Sequence, residues 1–276
     1  MLSPMLPVAA QPVPPSASVV VITDVDGVLR HADTRSLAEA GPALASLNEA
    51  GTPVVLCSEH APAELIRIQR EAGLRHPFVC EGGAALYVPG GYFSDLLGLG
   101  LTGGDWEVIE FGPPRVEVAA ALRRAAEASQ VPVAAGADLE IDDDASERLY
   151  TEPFRILDVG ERAATRLLTV MRGAGFRCLS GPRYHLATGV PSPAHAVRLL
   201  VSLYRAASTP PVIIGVGDDW RDRALLNEVD APVVVRNPAV DQTRLLRKVP
   251  TAYLTDAEGP AGWREAILGH CPAEPA

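Results

Sequence analysis

The sequence has 276 residues, 47% of them hydrophobic and 21% charged, and this composition excludes a disordered chain and a coiled coil. Its length is sufficient for one large domain or for a core domain that carries a smaller insertion. The 34 acidic residues outnumber the 24 basic ones and give a formal net charge of −10, so we expect no nucleic-acid partner and only a local site for an anionic ligand.

The first segment in chain order is a proline-rich stretch over residues 1–17. It contains five prolines and no basic residue, which predicts a flexible tail rather than a signal peptide. No apolar run approaches the ~20 residues that a membrane span requires, so we expect a soluble protein without a membrane partner. The four cysteines form no CxxC pair, which favours free thiols in a reducing cytoplasm.

Alternating strands and helices follow the tail. The β-branched run at 19–23 predicts a buried parallel strand, and further strands are predicted at 53–57 and 77–80. Helices are predicted between these strands, at 36–50 and 61–72. This order predicts a parallel sheet with right-handed crossovers.

The alternation stops in the middle of the chain and later resumes. A glycine-rich stretch, an acidic run at 142–144, helices at 116–129 and 162–173 and a hairpin around 181–182 predict an inserted α+β domain. Afterwards the predicted order is helix 195–206, strand 211–216, a helix after Trp220, strand 232–235, helix 242–248 and strand 251–254. The predicted fold is α/β, with a parallel-sheet core formed by 18–83 and 187–272 and a cap domain at 84–186.

Polar residues and a glycine directly follow three of the predicted strands. In chain order they are Asp24, Asp26, Gly27, Ser58, Asp218 and Asp222. Because the carboxyl ends of parallel strands meet at one edge of a sheet, we expect these residues to share one pocket.

The residue types in this set fit phosphoryl transfer. Of two carboxylates one residue apart, one can attack phosphorus while the other moves a proton on the leaving oxygen and on the attacking water. Gly27 permits the turn that places Asp24 and Asp26. A divalent cation must offset the repulsion between carboxylates and phosphate, and Asp218 and Asp222 add the oxygen ligands that Mg²⁺ prefers. The Ser58 hydroxyl, beside the N–H groups that open the next helix, can hold phosphate oxygens.

Each of these residues also has an ordinary structural interpretation. A DxDG sequence after a strand can be a plain Asx turn or a calcium-type loop. Ser58 can be a helix N-cap, the Asp218-Asp219 pair can be another cap, and Asp222 can lie on the solvated face of a helix. A shared active site is favoured because the residues occur in order and each follows a strand.

The sequence resembles the haloacid dehalogenase superfamily of phosphatases at DVDGV, at the Ser58 turn and at GDDWRD. These segments are similar to the first, second and fourth motifs of that superfamily, whose core is a Rossmann-like sheet. The resemblance implies that Asp24 is the nucleophile that becomes an aspartyl phosphate and that Asp26 is the general acid/base, with Ser58 in the second motif. It also implies a Mg²⁺ ion held by Asp24, the backbone carbonyl of Asp26 and Asp218, with Asp222 in support.

Three further segments resemble the mannosyl-3-phosphoglycerate phosphatase family. PFVCEGGAALYVP, ERLYTEPF and SGPRYHLATG look like motifs of that family and occur in the same order. The resemblance implies a phosphorylated small-molecule sugar substrate and the substrate-binding residues Gly27, Glu81, Arg148, Glu152, Arg183 and His185. Arginine suits a ligand with phosphate and carboxylate groups, because its planar fork binds either group through two hydrogen bonds. Arg148 and Arg183 can alternatively form surface ion pairs.

The sequence departs from this family at the third motif, which is a lysine or sometimes an arginine. Pro193 stands in that place, and the only lysine of the chain, Lys248, lies on a late predicted helix. A cation there lowers the pKa of the nucleophile and stabilises charge in the transition state. The candidate substitutes are Arg198, His195 and His60, of which His60 itself replaces a family lysine, as Gly82 replaces a family asparagine.

Two classes of function are compatible with these residues. The first is a Mg²⁺-dependent phosphomonoesterase that acts on a glycosyl-phosphoglycerate or on a different sugar phosphate, for example a sucrose-phosphate-like one. The second is a catalytically impaired relative that binds a phosphosugar or a protein partner, and Pro193 favours it. We expect a monomer or a homodimer in either case.

Overall fold

The computed structural model describes residues 17–93, 105–136, 139, 145–157, 160–180, 184–190, 192–207 and 209–270. Almost all of the predicted tail, the acidic run at 142–144 and the hairpin turn at 181–182 lie outside these ranges. In the part of the chain that is described, no helix is both long and apolar enough to cross a membrane.

The amino-terminal elements alternate much as the sequence predicts. They are β1 (Val19–Thr23), α1 (Gly41–Glu49), β2 (Val54–Cys57), α2 (Pro62–Glu71), β3 (Phe78–Cys80), β4 (Ala85–Pro89) and β5 (Trp106–Glu110). Helix α1 begins five residues later than the predicted 36–50, with a proline in its first turn, a position where the missing N–H of proline costs no helical hydrogen bond.

The middle elements form a separate antiparallel sheet with two helices. They are α3 (Arg115–Ser129), β6 (Val133–Ala135), a 3-10 turn (Ala145–Glu147), β7 (Thr151–Ile156), α4 (Glu161–Gly173), β8 (Arg177–Ser180) and β9 (His185–Thr188). The strand order in this sheet is β6-β7-β9-β8. Its own hydrophobic cluster includes Leu122 of α3, Phe154 of β7 and Leu167 of α4.

The carboxyl-terminal elements return to the first sheet. They are α5 (Ala194–Ala207), β10 (Val212–Gly217), a 3-10 turn (Trp220–Asp222), α6 (Arg223–Leu226), β11 (Ala231–Arg236), α7 (Thr243–Lys248), β12 (Tyr253–Glu258) and α8 (Gly259–His270). Helix α8 was not predicted. Its buried residues Trp263, Ala266 and Ile267 have helical spacing, but the glycines and the proline at its start obscure that pattern.

The large sheet has the strand order β12-β11-β10-β1-β2-β3-β4-β5, and its strands from β12 to β3 are parallel. Every residue of β1 is buried, because helices cover both faces of the sheet. Val19 and Val21 pack in a cluster with α1, α2 and α8, whereas Val20 and Ile22 pack in a cluster with α5. The predicted α/β fold with a parallel-sheet core and an α+β cap is confirmed.

The predicted cap range of 84–186 contains two strands of the large sheet. Strands β4 and β5 fall inside that range but pair antiparallel with β3 and with each other in the large sheet. An antiparallel hairpin needs no crossover helix, so the loss of strand-helix alternation did not mark the end of this sheet.

The two connections between the sheets lie side by side. A side chain at Gly112 would meet Val190, and a side chain at Gly189 would meet the ring of Pro113. Glycine is required at these close approaches because there is no space for a Cβ atom. The cap is thus joined to the core at one place.

Candidate active site

Three carboxylates converge at the carboxyl ends of β1 and β10. Oxygen atoms of Asp24, Asp218 and Asp222 all lie within 4.8 Å of one another. β1 and β10 are paired neighbours, and the Asp24 N–H donates to the Val216 carbonyl at 2.8 Å. The parallel pairing therefore brings together residues almost 200 positions apart in the sequence.

The turn after β10 is fixed by its own side chains. Asp222 Oδ2 accepts the N–H groups of Asp218 at 2.8 Å and Asp219 at 3.0 Å. Asp218 Oδ2 accepts from the Asn237 side chain at 2.6 Å. Asp219 caps the 3-10 turn by accepting from the Arg221 N–H, so the cap interpretation holds for Asp219, whereas Asp222 turns inward rather than into solvent.

The carboxylate cluster carries negative charge that nearby cations do not fully balance. Burial raises the pKa of Asp24 well above its ordinary value, and the charges of Asp222 and Asp218 add to the effect. Burial also raises the pKa values of Asp218 and Asp222. A bound cation offsets such repulsion, so the donor set fits a hard divalent ion.

Gly27 is required where the first motif approaches Asp218. Its φ is +81°, and a Cβ atom there would lie 3.0 Å from Asp218 Oδ2. A residue with a side chain would be strained in this conformation and would crowd the carboxylate cluster. Gly27 therefore shapes the cluster, and it also lines the adjoining cavity.

Asp26 points to a different set of partners, Arg30 and His60. The Arg30 Nε–H donates to Asp26 Oδ1, and His60 Nε2 lies 2.8 Å from Asp26 Oδ2. Burial alone would raise the pKa of Asp26, but the hydrogen bonds and charges of His60 and Arg30 hold it well below its usual range. Arg30 is 4% exposed and also donates to Glu64 at 3.0 Å. The two carboxylates of the first motif thus have opposite environments.

A cavity of about 1140 Å³ opens over these residues, between the large sheet and the cap. Asp24, Asp26, Ser58 and the residues after β10 line it from the core. Ser58 is not the N-cap of α2, because that position is Ala61, and its Oγ instead lies 3.4 Å from the His60 backbone nitrogen. The sequence-predicted residues Asp24, Asp26, Gly27, Ser58, Asp218 and Asp222 therefore share one pocket wall.

Comparison with known proteins identifies relatives over nearly the whole chain. No family model matches the chain. A glucosyl-3-phosphoglycerate/mannosyl-3-phosphoglycerate phosphatase from Methanococcoides burtonii is 30% identical over 264 residues, covering 90% of this chain and 96% of the relative. The chain belongs to this phosphatase family. A protein of the same description from Persephonella marina is 27% identical over 261 residues, with 90% and 96% coverage.

Solved structures of other proteins have the same fold as this chain. A phosphatase of the haloalkanoate (HAD) enzyme superfamily from Bacteroides thetaiotaomicron has a TM-score of 0.64 at 16% identity, covering 97% of this chain and 98% of that one. A sucrose-phosphatase from Synechocystis, in complex with sucrose and phosphate, has a TM-score of 0.56 at 12% identity, covering 91% and 97%. The named relatives are phosphatases, and this chain is a phosphatase of their family with the fold of these solved structures.

The family resemblance implied that Glu81 binds substrate, but the structure gives its carboxylate other contacts. Glu81 Oε1 accepts the Leu149 N–H at 2.7 Å. Glu81 Oε2 accepts the N–H groups of Tyr150 at 3.1 Å and Thr151 at 2.7 Å, and the Thr151 hydroxyl at 2.6 Å. The side chain is 1% exposed and does not line the cavity. Glu81 therefore joins the core to the start of β7, which lies in the ERLYTEPF segment.

Glu152 and His185 also lie away from the cavity. Both belong to the helix-facing side of the cap sheet, because side chains alternate along a strand and the neighbour of His185, Leu186, lines the cavity. Glu152 pairs with Arg115 Nε of α3 at 2.5 Å, and the His185 ring packs against Phe154. Burial lowers the pKa of His185.

Arg148 is the cap residue of the predicted set that the structure places at the cavity. It is 4% exposed, and its Nη1 donates to the Glu59 carbonyl at 2.9 Å and to Thr151 Oγ1 at 3.1 Å. It is thus not a surface ion pair. Arg183 lies outside the described residues.

The candidate substitutes for the third-motif lysine lie elsewhere, with one exception. Arg198 is exposed and forms a forked pair with Glu228, at 3.0 and 2.5 Å. His195 and Lys248 are exposed and do not line the cavity. His60 does line it but contacts Asp26. Pro193 lies against the Gly83 backbone, and a Cβ atom at position 83 would have no space.

Several residues of the pocket were missed from the sequence. Glu59, Arg177, Tyr184, Arg221 and Asn237 line the cavity, and Arg30 contacts Asp26 without lining it. A lone arginine in the apolar VLRH run after DVDG was a usable signal for Arg30, since a charged residue there needs a buried partner. Glu59 and Arg221 gave no such signal, because charged residues in loops are usually solvated.

Proposed function

We propose that this phosphatase is Mg²⁺-dependent and hydrolyses a glycosyl-3-phosphoglycerate, with mannosyl-3-phosphoglycerate or its glucosyl counterpart as the first substrates to test. The observation that carries the proposal is the convergence of Asp24, Asp218 and Asp222 within 4.8 Å at the floor of the cavity. The relatives named for these two activities cover nearly the whole chain, which supports the choice of substrate.

Two carboxylates can divide the proposed reaction between them. An Asp24 oxygen attacks phosphorus, so that an oxygen–phosphorus bond forms while the bond from phosphorus to the alcohol oxygen breaks. Asp26 gives a proton to the leaving alcohol. It then takes a proton from the water that attacks the aspartyl phosphate, and Asp24 and inorganic phosphate are released. The sum is one phosphomonoester and one water converted to one alcohol and one phosphate.

The environment of Asp26 suits the second half of this reaction. Arg30 and His60 keep its carboxylate ionised in the free site, ready to accept a proton from water. A phosphate group brought close to Asp26 adds negative charge and raises its pKa, which favours the protonated form needed to release the alcohol. Substrate binding therefore changes the proton affinity of Asp26 in the required direction.

The proposed metal site uses residues of this chain only. Asp24, Asp218 and Asp222, with the backbone carbonyl of Asp26, would hold Mg²⁺. When bound, this ion supplies positive charge that offsets the phosphate and the three carboxylates. Asn237 and Gly27 keep Asp218 in place, and the Asp222 carboxylate shapes the turn that presents it.

The cap supports recognition of a ligand with more than one anionic group. Arg148, Arg177 and Tyr184 line the cavity from the cap. A glycosyl-phosphoglycerate has a phosphate, a carboxylate and sugar hydroxyls, and guanidinium groups bind both anions through paired hydrogen bonds. We propose that the specificity cap comprises residues 113–189, between the two adjacent connections.

A second candidate function is binding without turnover. Pro193 lines the cavity where the family has a cation, and this observation favours a catalytically impaired relative that binds a phosphosugar or a protein partner. A third candidate keeps the chemistry but acts on a different sugar phosphate, such as sucrose phosphate.

A substrate panel on purified protein separates these candidates. Phosphate release is measured with mannosyl-3-phosphoglycerate, its glucosyl counterpart, sucrose phosphate and simple sugar phosphates, each with Mg²⁺ and with EDTA. We expect Mg²⁺-dependent turnover that is highest for the glycosyl-phosphoglycerates and is abolished by Asp24→Asn. Turnover by Asp24→Asn at the wild-type rate contradicts the mechanism. Binding of a substrate by the wild-type protein without release of phosphate supports the impaired relative.

We also propose a cytoplasmic location and a monomer or homodimer. The described cysteines, Cys57, Cys80 and Cys178, are free thiols, which supports a reducing compartment.

A further inference from the structure

Arg221 lies in the turn after β10 and contacts residues on both sides of Asp24. Its Nη1 donates to Glu59 Oε2 at 2.7 Å. Its Nε and Nη2 contact Asp219 Oδ2 at 2.7 and 2.6 Å. The side chain lines the same cavity as Asp24 and is 47% exposed. Two side chains thus hold the guanidinium in one orientation while one of its edges faces the cavity.

The strand order shows where this guanidinium must lie. β1 is between β10 and β2 in the sheet. Arg221 belongs to the loop after β10, and Glu59 belongs to the loop after β2. Neighbouring strands in a sheet are about 5 Å apart. An ion pair between the loops after β10 and β2 therefore has to pass over the carboxyl end of β1, which lies between them. Asp24 is the residue at that end, so the Arg221–Glu59 pair crosses above it.

The other cations near the pocket have different partners. Arg30 and His60 contact Asp26, and Arg67 pairs with Glu147 and Glu64. Arg35 pairs with Glu64, Arg148 donates to the Glu59 carbonyl, Arg177 donates to the Val190 carbonyl, and Arg223 lies over the Trp220 ring. Among the described residues, Arg221 is the arginine whose contacts span the end of β1.

We propose that Arg221 replaces the missing third-motif lysine and donates to the transferred phosphoryl group beside Asp24. This inference rests on the proposed phosphatase mechanism. A guanidinium has five N–H donors, and the contacts with Glu59 and Asp219 in the described structure use three of them. Two donors are then available for phosphoryl oxygens. Glu59 and Asp219 act as positioning residues, because they hold the guanidinium and do not themselves contact the reacting atoms.

The test compares Arg221→Gln, Arg221→Lys and Arg221→Ala with the wild-type chain. The readout is kcat and KM for Mg²⁺-dependent phosphate release from mannosyl-3-phosphoglycerate. We expect Arg221→Gln to lower kcat about 10²-fold, as for loss of one donor to a transition-state oxyanion, and Arg221→Lys to lower it less. Guanidinium chloride at millimolar concentration should restore part of the activity of Arg221→Ala, whereas sodium chloride should not. Binding of orthovanadate as a phosphoryl probe should weaken in parallel.

The matched control is Arg198→Gln, which removes an exposed arginine that forms a similar fork with Glu228 away from the cavity. It should keep kcat within about 2-fold, as for surface substitutions in general. Arg221→Gln with at least half of the wild-type kcat overturns the proposal and leaves the phosphatase mechanism intact. Loss of activity without rescue by guanidinium or by lysine assigns Arg221 a structural role and also overturns it. A wild-type protein that releases no phosphate under any Mg²⁺ condition contradicts the proposed function itself.

Discussion

The carboxylate of Glu81, one residue after β3, accepts hydrogen bonds from both the backbone N–H and the hydroxyl of Thr151, the first residue of β7. The same carboxylate accepts two further N–H groups from residues 149 and 150. One side chain of the core therefore fixes the start of a cap strand, within a few residues of Arg148 at the cavity.

Glu81→Gln should destabilise the protein without affecting the chemistry directly. The amide has one acceptor oxygen in place of two, so buried N–H groups of residues 149–151 lose partners, at a cost of about 2–3 kcal/mol. Urea unfolding should show this loss, and kcat of the folded variant should remain close to the wild-type value. A raised KM with unchanged stability would indicate instead that Glu81 contacts the substrate.

Removal of Arg30 should shift the pH dependence of turnover. His60 and Arg30 lower the pKa of Asp26, and the proposed hydrolysis of the aspartyl phosphate requires Asp26 in its ionised form. In Arg30→Met the pKa of Asp26 rises, so the acid limb of the kcat profile should move to higher pH, by about one unit.

Arg67→Met is the matched control for this shift. Arg67 also pairs with Glu64 but does not contact Asp26. The acid limb of the kcat profile of Arg67→Met should stay at the wild-type pH. Equal shifts in the two variants would show that the effect comes from Glu64 or from general loss of charge.

Asp24→Asn should make the metal-free protein more stable. Burial and the charges of Asp222 and Asp218 raise the pKa of Asp24, so its ionised form at pH 7 is disfavoured in the folded state relative to the unfolded state. Removal of this charge should increase the free energy of unfolding in EDTA. Mg²⁺ should raise the melting temperature of the wild-type protein more than that of the variant, because the variant lacks one anionic ligand. A destabilised Asp24→Asn in EDTA would contradict the described charge cluster.

His76 should make the stability depend on pH far from the active site. Burial lowers its pKa to about 4, and its Nδ1 lies 3.0 Å from the Tyr92 hydroxyl. Because the pKa is lower in the folded state than the ordinary value near 6.5, the unfolded chain binds the proton more readily. Its contribution is fully present above about pH 6.5 and is lost as the pH falls towards 4, by up to about 3 kcal/mol.

His76→Gln should flatten the fall in unfolding free energy between pH 6.5 and 4. The comparison is His195→Gln, which removes an exposed histidine on α5. Unfolding curves measured at several pH values between 4 and 6.5 distinguish His76→Gln from His195→Gln. The same slope in His76→Gln as in the wild-type protein would show that His76 does not control it.

The sequence predicted the strands that carry the site because buried parallel strands have an unmistakable composition. The VVVIT and PVIIGV runs are apolar on both faces, and each is followed by the acidic residues that the sheet brings together. The hairpin of β4 and β5 was assigned to the cap because its pairing partner, β3, is revealed only by the fold.

The cap residues were predicted less well because a motif match does not specify which side of a strand a residue occupies. Leu186 lines the cavity and the adjacent His185 does not. Likewise, Glu152 pairs with Arg115 on α3, which is 37 positions away in the sequence. Arg221 and Glu59 meet only because β1 lies between β10 and β2, and this order cannot be read from either loop alone.

The close approach of Gly112 to Val190 and of Gly189 to Pro113 gives the cap a modular character. Both ends of the inserted segment leave the large sheet at one point, so the insertion can diverge in length and sequence without breaking any pairing between strands of that sheet. Grafting a cap from another phosphatase would need only two neighbouring junctions. The strands that carry the three carboxylates can thus stay unchanged while the inserted segment changes.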